Sequence, residues 1–185
     1  MDESSLLLRQ IPHSIEAEQS VLGAMLIDAR CIPDVVEALT GEDFYLKANR
    51  EIYETIYTMF NFSATIDPVT VLDQMKLTGV YDENTSRSYL LQLMEITPTA
   101  ANVKEYIRIV KDKALLRRIA ETAGELTTLV QEGGETAQAV LDLAEQRVYA
   151  IRQGRSAQGL EPLSKILVDV FDQLQELSMS GSEVP

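Results

Sequence analysis

The sequence has no tryptophan, one cysteine and one histidine, and these shortages exclude whole classes of chemistry. A lone Cys31 allows neither an internal disulfide nor a multi-cysteine zinc site. It reads as a small buried apolar residue of a protein from a reducing, cytoplasmic compartment. His13 cannot supply the paired histidines of a zinc-protease helix. Nor can it activate its neighbour Ser14, since a nucleophile and base need an orienting third group and an oxyanion hole. His13 therefore reads as a surface or helix-entry residue. None of the nine glycines precedes a lysine, so there is no phosphate-cradling P-loop, and no two are spaced for a dinucleotide-binding turn. No stretch approaches the roughly 20 apolar residues that span a bilayer, which argues against a membrane partner. The start "MDESSLLLRQIP" is not a signal peptide.

Basic residues are also scarce, at 16 Lys and Arg against 29 Asp and Glu, for a formal net charge of −13. Affinity for a nucleic-acid backbone comes mostly from cations that neutralise phosphates. Little direct DNA binding is expected of such a chain. The acid pairs Glu16 and Glu18, and Glu42 and Asp43, read as solvated faces rather than catalytic dyads. No active site, metal site or cofactor site is recognisable.

What is present is helical periodicity. Ser14 is an N-cap candidate for a helix whose core face carries Val21, Leu22, Met25 and Leu26. A shorter helix near Pro33 carries Val35, Val36 and Leu39 and stops at Gly41. In "DFYLKANREIYETIYTMFNF", Ile52, Tyr53, Ile56, Tyr57, Met59 and Phe60 recur at steps of three and four, as in a buried helix. Asp67 caps the next helix, Pro68 fits its first position and Gly79 closes it. Another short helix covers about 86–95. Period-two alternation and Asn-Gly or Asp-Gly hairpin signals are missing, which excludes a sheet.

From Thr99 a run of about 34 residues without proline reaches Gly133 and Gly134, and a second amphipathic helix follows at once. Such a pair forms an antiparallel αα-hairpin. The fold class expected is all-α: a compact helical bundle over 1–98, a long helical hairpin over 99–153, and a linker with a separate helix over 154–185. The hairpin stripes exceed what one pair covers, so the hairpin folds back on the first domain or finds another copy. Leu126, Leu141, Ala144 and Val148 are the self-association candidates. Tyr106, Leu129, Val130 and Tyr149 are too many for one core, although each alone reads equally as a core residue. In the last helix Leu163, Ile166, Leu167, Val170, Phe171, Leu174 and Leu177 form a docking stripe, for this chain's own domain or for a partner.

The stretch "PHSIEAEQSVLGAMLID" (12–28) closely resembles the N-terminal signature of bacterial replicative DNA helicases of the DnaB type. "DFY", "NREIYETI", "IDPVTV", "YLLQLMEITPTAANVKEYIRIVKDKALLRRI" and "VLDLAEQRVYAI" follow in that family's order, essentially through the whole chain. Two departures stand out. Asn49 replaces a usual histidine, and "NTSRSYL" lacks the usual Gly-Gly pair, so that turn is expected to differ in shape.

The resemblance implies a collar and linker helix preceding a RecA-like motor that would begin where this chain ends. It implies a fragment without catalysis or cofactors, ATP and Mg belonging to the full-length protein. It also implies self-association as dimers within a hexameric ring, primase docking at Tyr106, Leu129, Val130 and Tyr149, and packing of the linker helix on a neighbouring motor domain. A helicase loader is a further implied partner. The alternative is a stand-alone helical adaptor that regulates or loads a helicase.

Overall fold

A computed structural model describes residues 11–153, and seven α-helices account for most of them. Helix α1 (Ile15–Ile27) begins where Ser14 leaves helical geometry and its Oγ accepts from the Ala17 N–H at 3.3 Å. A single 3-10 turn, Ala29–Cys31, leads into α2 (Ile32–Ala38), which has proline in its first turn. A second 3-10 turn, Gly41–Asp43, precedes α3 (Lys47–Asn61).

Helix α4 (Pro68–Thr78) is bounded by local chemistry at both ends. Asp67 accepts from the N–H groups of Val69 (2.8 Å) and Thr70 (3.0 Å), while Thr70 Oγ1 accepts from the Asp67 N–H at 3.0 Å. Gly79 ends the helix at φ 75°, a left-handed conformation that costs a Cβ-bearing residue about 1 kcal/mol or more. The turn into α5 (Ser86–Ile96) is organised by Asp82, which accepts from Asn84 and Thr85, with Ser86 Oγ accepting from the Asp82 N–H. Polar side chains thus shape this turn without a glycine.

Val21 to Leu26 are all buried, so α1 has no solvent face over nearly two turns. It is the central helix, packed most extensively on α5 and also on α3. Around it lie Ile32, Val35 and Leu39 of the α2 region, Phe44, Ile52 and Ile56 of the α3 region, Val71 and Met75 of α4, and Leu90 and Leu93 of α5. Gly23 is required by the α1–α5 contact, because a Cβ there would run into the Leu93 carbonyl oxygen and the Thr97 side chain. The α3 stripe is narrower than the sequence spacing implies. Tyr57 is exposed and Phe60 only half-buried, while Asn49 and Thr55 are buried instead.

Helix α6 (Val103–Glu132) and α7 (Ala137–Gln153) complete the described residues. The chain divides into two compact units between Glu121 and Thr122, inside α6 rather than at its start. Val103, Ile107 and Val110 belong to the core of the first unit, a helical stripe continued by Ala114 and Arg117, so the N-terminal half of α6 is a wall of that core.

The described part of the second unit is the end of α6, a turn at Gly133 (φ 66°), and α7, whose start is capped by Thr136 Oγ1 accepting from the Ala139 N–H. Leu126, Leu129, Val140, Leu143, Ala144 and Ile151 are half-buried, and no residue of α7 is buried. An ion pair at 3.4 Å, Arg147 to Glu125, is solvent-exposed and so worth little.

Candidate functional site

Chemistry in the first unit is concentrated at one buried carboxylate. Glu18, 1% exposed, projects from α1 to the start of α3. Its carboxylate accepts from the Tyr45 N–H (2.8 Å), the Leu46 N–H (3.3 Å) and Asn49 Nδ2 (2.8 Å). Leu46 is the N-cap position of α3 and has no side chain able to cap it. Glu18 therefore supplies from another helix the acceptor that the Glu of a capping box supplies to the N-cap amide, at the end of α3 where the macrodipole favours an anion.

The network extends in both directions. Asn49 Oδ1 accepts from the Tyr89 hydroxyl at 2.6 Å, and that oxygen accepts from Gln19 Nε2 at 3.1 Å. On the other side, Arg117 is 8% exposed and donates to the carbonyls of Pro12 (2.9 Å) and Asp43. Burial pushes its guanidinium below the usual arginine range, against the opposing pull of Glu18 and Asp43. Arg118 pairs with the Asp43 carboxylate, which also accepts from the Thr40 N–H at 2.8 Å. His13 stacks on Tyr45 with ring centroids 4.5 Å apart, and the Arg117 guanidinium lies 5.8 Å from the same ring.

Two of the acids expected on solvated faces are thus buried, Glu18 at 1% and Asp43 at 4% exposure. The reason is that each meets enough donors and cations to replace its water. Glu18, Asp43 and Arg117 order the backbone, while Gln19 and Tyr89, at the far end of the network, also line a cavity of about 670 Å³. "HSIEAEQ" works structurally: Ser14 caps α1, Glu18 caps α3 and Gln19 reaches α5 through Tyr89. Among the described residues no cluster of His, Cys, Asp and Glu is arranged to hold a metal ion.

The other candidates fall in both units. Tyr106 lies half-buried against the core of the first unit. In the second, Val130, Leu141, Val148 and Tyr149 are exposed at 65%, 52%, 54% and 62%, values that mark a surface rather than an interior. Leu126, Leu129 and Ala144 are half-buried. The seven-residue stripe from Leu163 to Leu177 lies outside the described residues.

The first unit is thus a helical core locked by a buried carboxylate, and the second leaves Val130, Leu141, Val148 and Tyr149 exposed, the kind of apolar surface that protein partners cover. The chain belongs to the DnaB-like helicase N-terminal domain family, whose pattern matches residues 10–112. The replicative DNA helicase DnaB of Mycobacterium leprae is 34% identical over 175 residues, covering 94% of this chain and 29% of that protein. The Geobacillus stearothermophilus DnaB is 33% identical over 176 residues, covering 94% of this chain and 38% of its own length.

This chain therefore spans only about a third of these relatives. The crystal structure of the N-terminal domain of DnaB helicase from Mycobacterium tuberculosis superposes with a TM-score of 0.71 at 36% identity, over 76% of this chain and 99% of that one. The N-terminal domain of DnaB helicase from Helicobacter pylori, a structure described together with its interactions with primase, shares the fold. Its TM-score is 0.55 at 19% identity, over 71% of this chain and 99% of that one. No helix among the described residues is long and apolar enough to cross a membrane.

Proposed function

We propose that this chain is the assembly and primase-docking region of a cytoplasmic replicative DNA helicase that, as a full-length protein, unwinds DNA at the fork using ATP. The observation that carries the reading is the hairpin of the second unit. Two helices with no buried residue in α7 leave Leu141 and Val148 more than half exposed. Exposed apolar side chains in such a row gain by association, at about 25 cal/mol per Å² of apolar surface covered. Leu126, Leu141, Ala144 and Val148 form the self-contact that pairs subunits into dimers within a hexameric ring. Tyr149 and Val130, with Leu129 and Tyr106, supply the apolar and aromatic anchors that a primase surface would bury inside a polar rim.

ATP and its magnesium ion do not fit the residues present: no glycine precedes a lysine, and among the described residues no cluster of His, Cys, Asp and Glu is placed for a metal. On this reading they belong to a motor domain beyond this chain, against which the helix of Leu163, Ile166, Leu167, Val170, Phe171, Leu174 and Leu177 packs. A helicase loader is a further partner of the whole assembly.

The test is light scattering on the purified chain, alone and with Leu141 and Val148 both changed to Asp. Both side chains are exposed, so helicity is retained while the mass falls from dimer to monomer. A wild-type chain that stays monomeric at hundreds of micromolar would remove the hairpin pairing. Calorimetry with the helicase-binding domain of the cognate primase, after nuclease treatment, tests the docking. Absence of heat at tens of micromolar with both proteins folded would refute it.

A further inference from the structure

The first unit carries a second surface feature that neither the core nor the hairpin accounts for. A groove of about 720 Å³ runs between α4 and α5. At one end Pro68 and Val69 of α4 face Leu91 of α5, with Val69 75% and Leu91 51% exposed. At the other end, where α4 finishes and α5 starts, stand Lys76 and Arg87, with Lys76 Nζ 5.0 Å from the Tyr81 ring centroid. Neither cation forms an ion pair among the described residues. Among the described residues Asp73 is the one acid lining the groove, in a chain where acids outnumber bases 29 to 16. The groove therefore has an apolar end and a cationic end, and the opposite charge balance to the molecule around it.

We infer that this groove docks a short acidic segment of a partner protein, one that places a Leu- or Phe-sized side chain against Val69 and Leu91 and a carboxylate against Lys76 and Arg87. The charge arrangement selects the occupant. A net charge of −13 repels a nucleic-acid backbone, and two cations are too few to overcome that repulsion. An acidic peptide needs only the local pair, and its apolar anchor covers side chains that otherwise stand in water. The surface lies wholly in the first unit and shares no residue with the candidate self-association and primase contacts.

The experiment uses the whole chain, isotope-labelled, titrated with a synthetic peptide alternating Leu and Phe with Asp and Glu. A second peptide with Asn and Gln in place of the acids is the control. The acidic peptide is expected to move the amide signals of Val69, Lys76, Arg87 and Leu91. Charge reversal in K76E/R87E is expected to weaken binding about tenfold, as is raising the salt toward 1 M. Both side chains are exposed, so an unchanged circular dichroism spectrum certifies the variant. V69S/L91S tests the apolar end with the cations kept. Equal binding of the control peptide, shifts confined to other residues, or no binding at millimolar peptide would each overturn the proposal. So would the same amides moving when the chain alone is concentrated, which would assign the groove to a second copy.

Discussion

Glu18 offers the sharpest test of how this fold is held. Changing it to Ala removes the acceptor for three donors, the amides of Tyr45 and Leu46 and the side chain of Asn49. It also removes an anion that offsets the buried Arg117. Each stranded buried donor costs about 1–3 kcal/mol, and the lost longer-range attraction to Arg117, which forms no direct ion pair with Glu18, adds less than that. These figures describe overlapping losses, and local relaxation readmits some water, so the expected destabilisation is about 4 kcal/mol. Glu18→Gln keeps one acceptor oxygen but turns an NH₂ toward the remaining donors, for about 2 kcal/mol. Glu16→Gln, on the exposed side of the same turn, should stay within about 0.5 kcal/mol.

With a urea slope of about 2 kcal/mol per molar, the three midpoints should fall by roughly 2 M, 1 M and under 0.3 M. Tyrosine fluorescence is the appropriate signal, since the chain has no tryptophan and six of its seven tyrosines lie in the first unit. If Glu18→Ala fails to fold, Glu18→Gln still decides the matter. A midpoint for Glu18→Gln no lower than that of Glu16→Gln would refute the account of Glu18 as the cap of α3.

Two glycines should respond with opposite signs to the same change. Gly23→Ala forces a methyl group against the Leu93 carbonyl and Thr97 and should lower stability by about 1–3 kcal/mol. Gly124→Ala meets nothing within 4 Å and should raise helicity, with a gain of up to about 1 kcal/mol by circular dichroism melts. Gly79→Ala, at φ 75°, should destabilise by about 1 kcal/mol, read in the same melts.

The cap at Asp67 should give a pH-dependent signature. The Thr70 amide first, then that of Val69 and the Thr70 side chain, hold its carboxyl below the usual carboxylate range. A depressed folded pKa adds stability above the unfolded value near 3.9, lost as pH falls through the folded one. The melting-temperature gap between wild type and Asp67→Asn should therefore be open at pH 7 and narrow steadily below about pH 4.

Elements whose ends are set by neighbouring residues were legible in the sequence. Ser14, Asp67, Pro68 and Gly79 do their capping within three or four positions, so their spacing already contains the answer. Glu18 was not legible by charge alone, because its donors come from 45–49, and adjacent Glu16 really is exposed. Its position did hold a signal. Glu18 stands four and seven residues before Leu22 and Met25, on the apolar stripe of α1, where a charged residue needs partners. Arg117 carries the same mark, following Val110 and Ala114 on the buried stripe of α6. Continuous periodicity from Val103 to Leu129 describes one helix and does not say that burial stops after Arg117 while the helix runs on to Glu132. The hairpin candidates rest on an apolar excess along the stripes; Leu141, Val148 and Tyr149 stand exposed, while Leu126, Leu129 and Ala144 are half-buried.

The contact at Gly23 restricts how this sequence can change over generations. A methyl group at position 23 would meet Thr97, and a compensating Thr97→Gly could clear that half of the obstruction. The other half is the Leu93 carbonyl oxygen, part of the main chain and present whatever residue occupies position 93. No second-site substitution can delete it. The only remedy is a sideways shift of α5 against the central helix, which would disturb Leu90 and Leu93 together with the Tyr89 hydroxyl bonded to Asn49. Position 23 is therefore closed to stepwise drift, while its neighbours in the same helix can exchange one apolar side chain for another. A lineage that lost this glycine would need several simultaneous changes to keep the two helices this close.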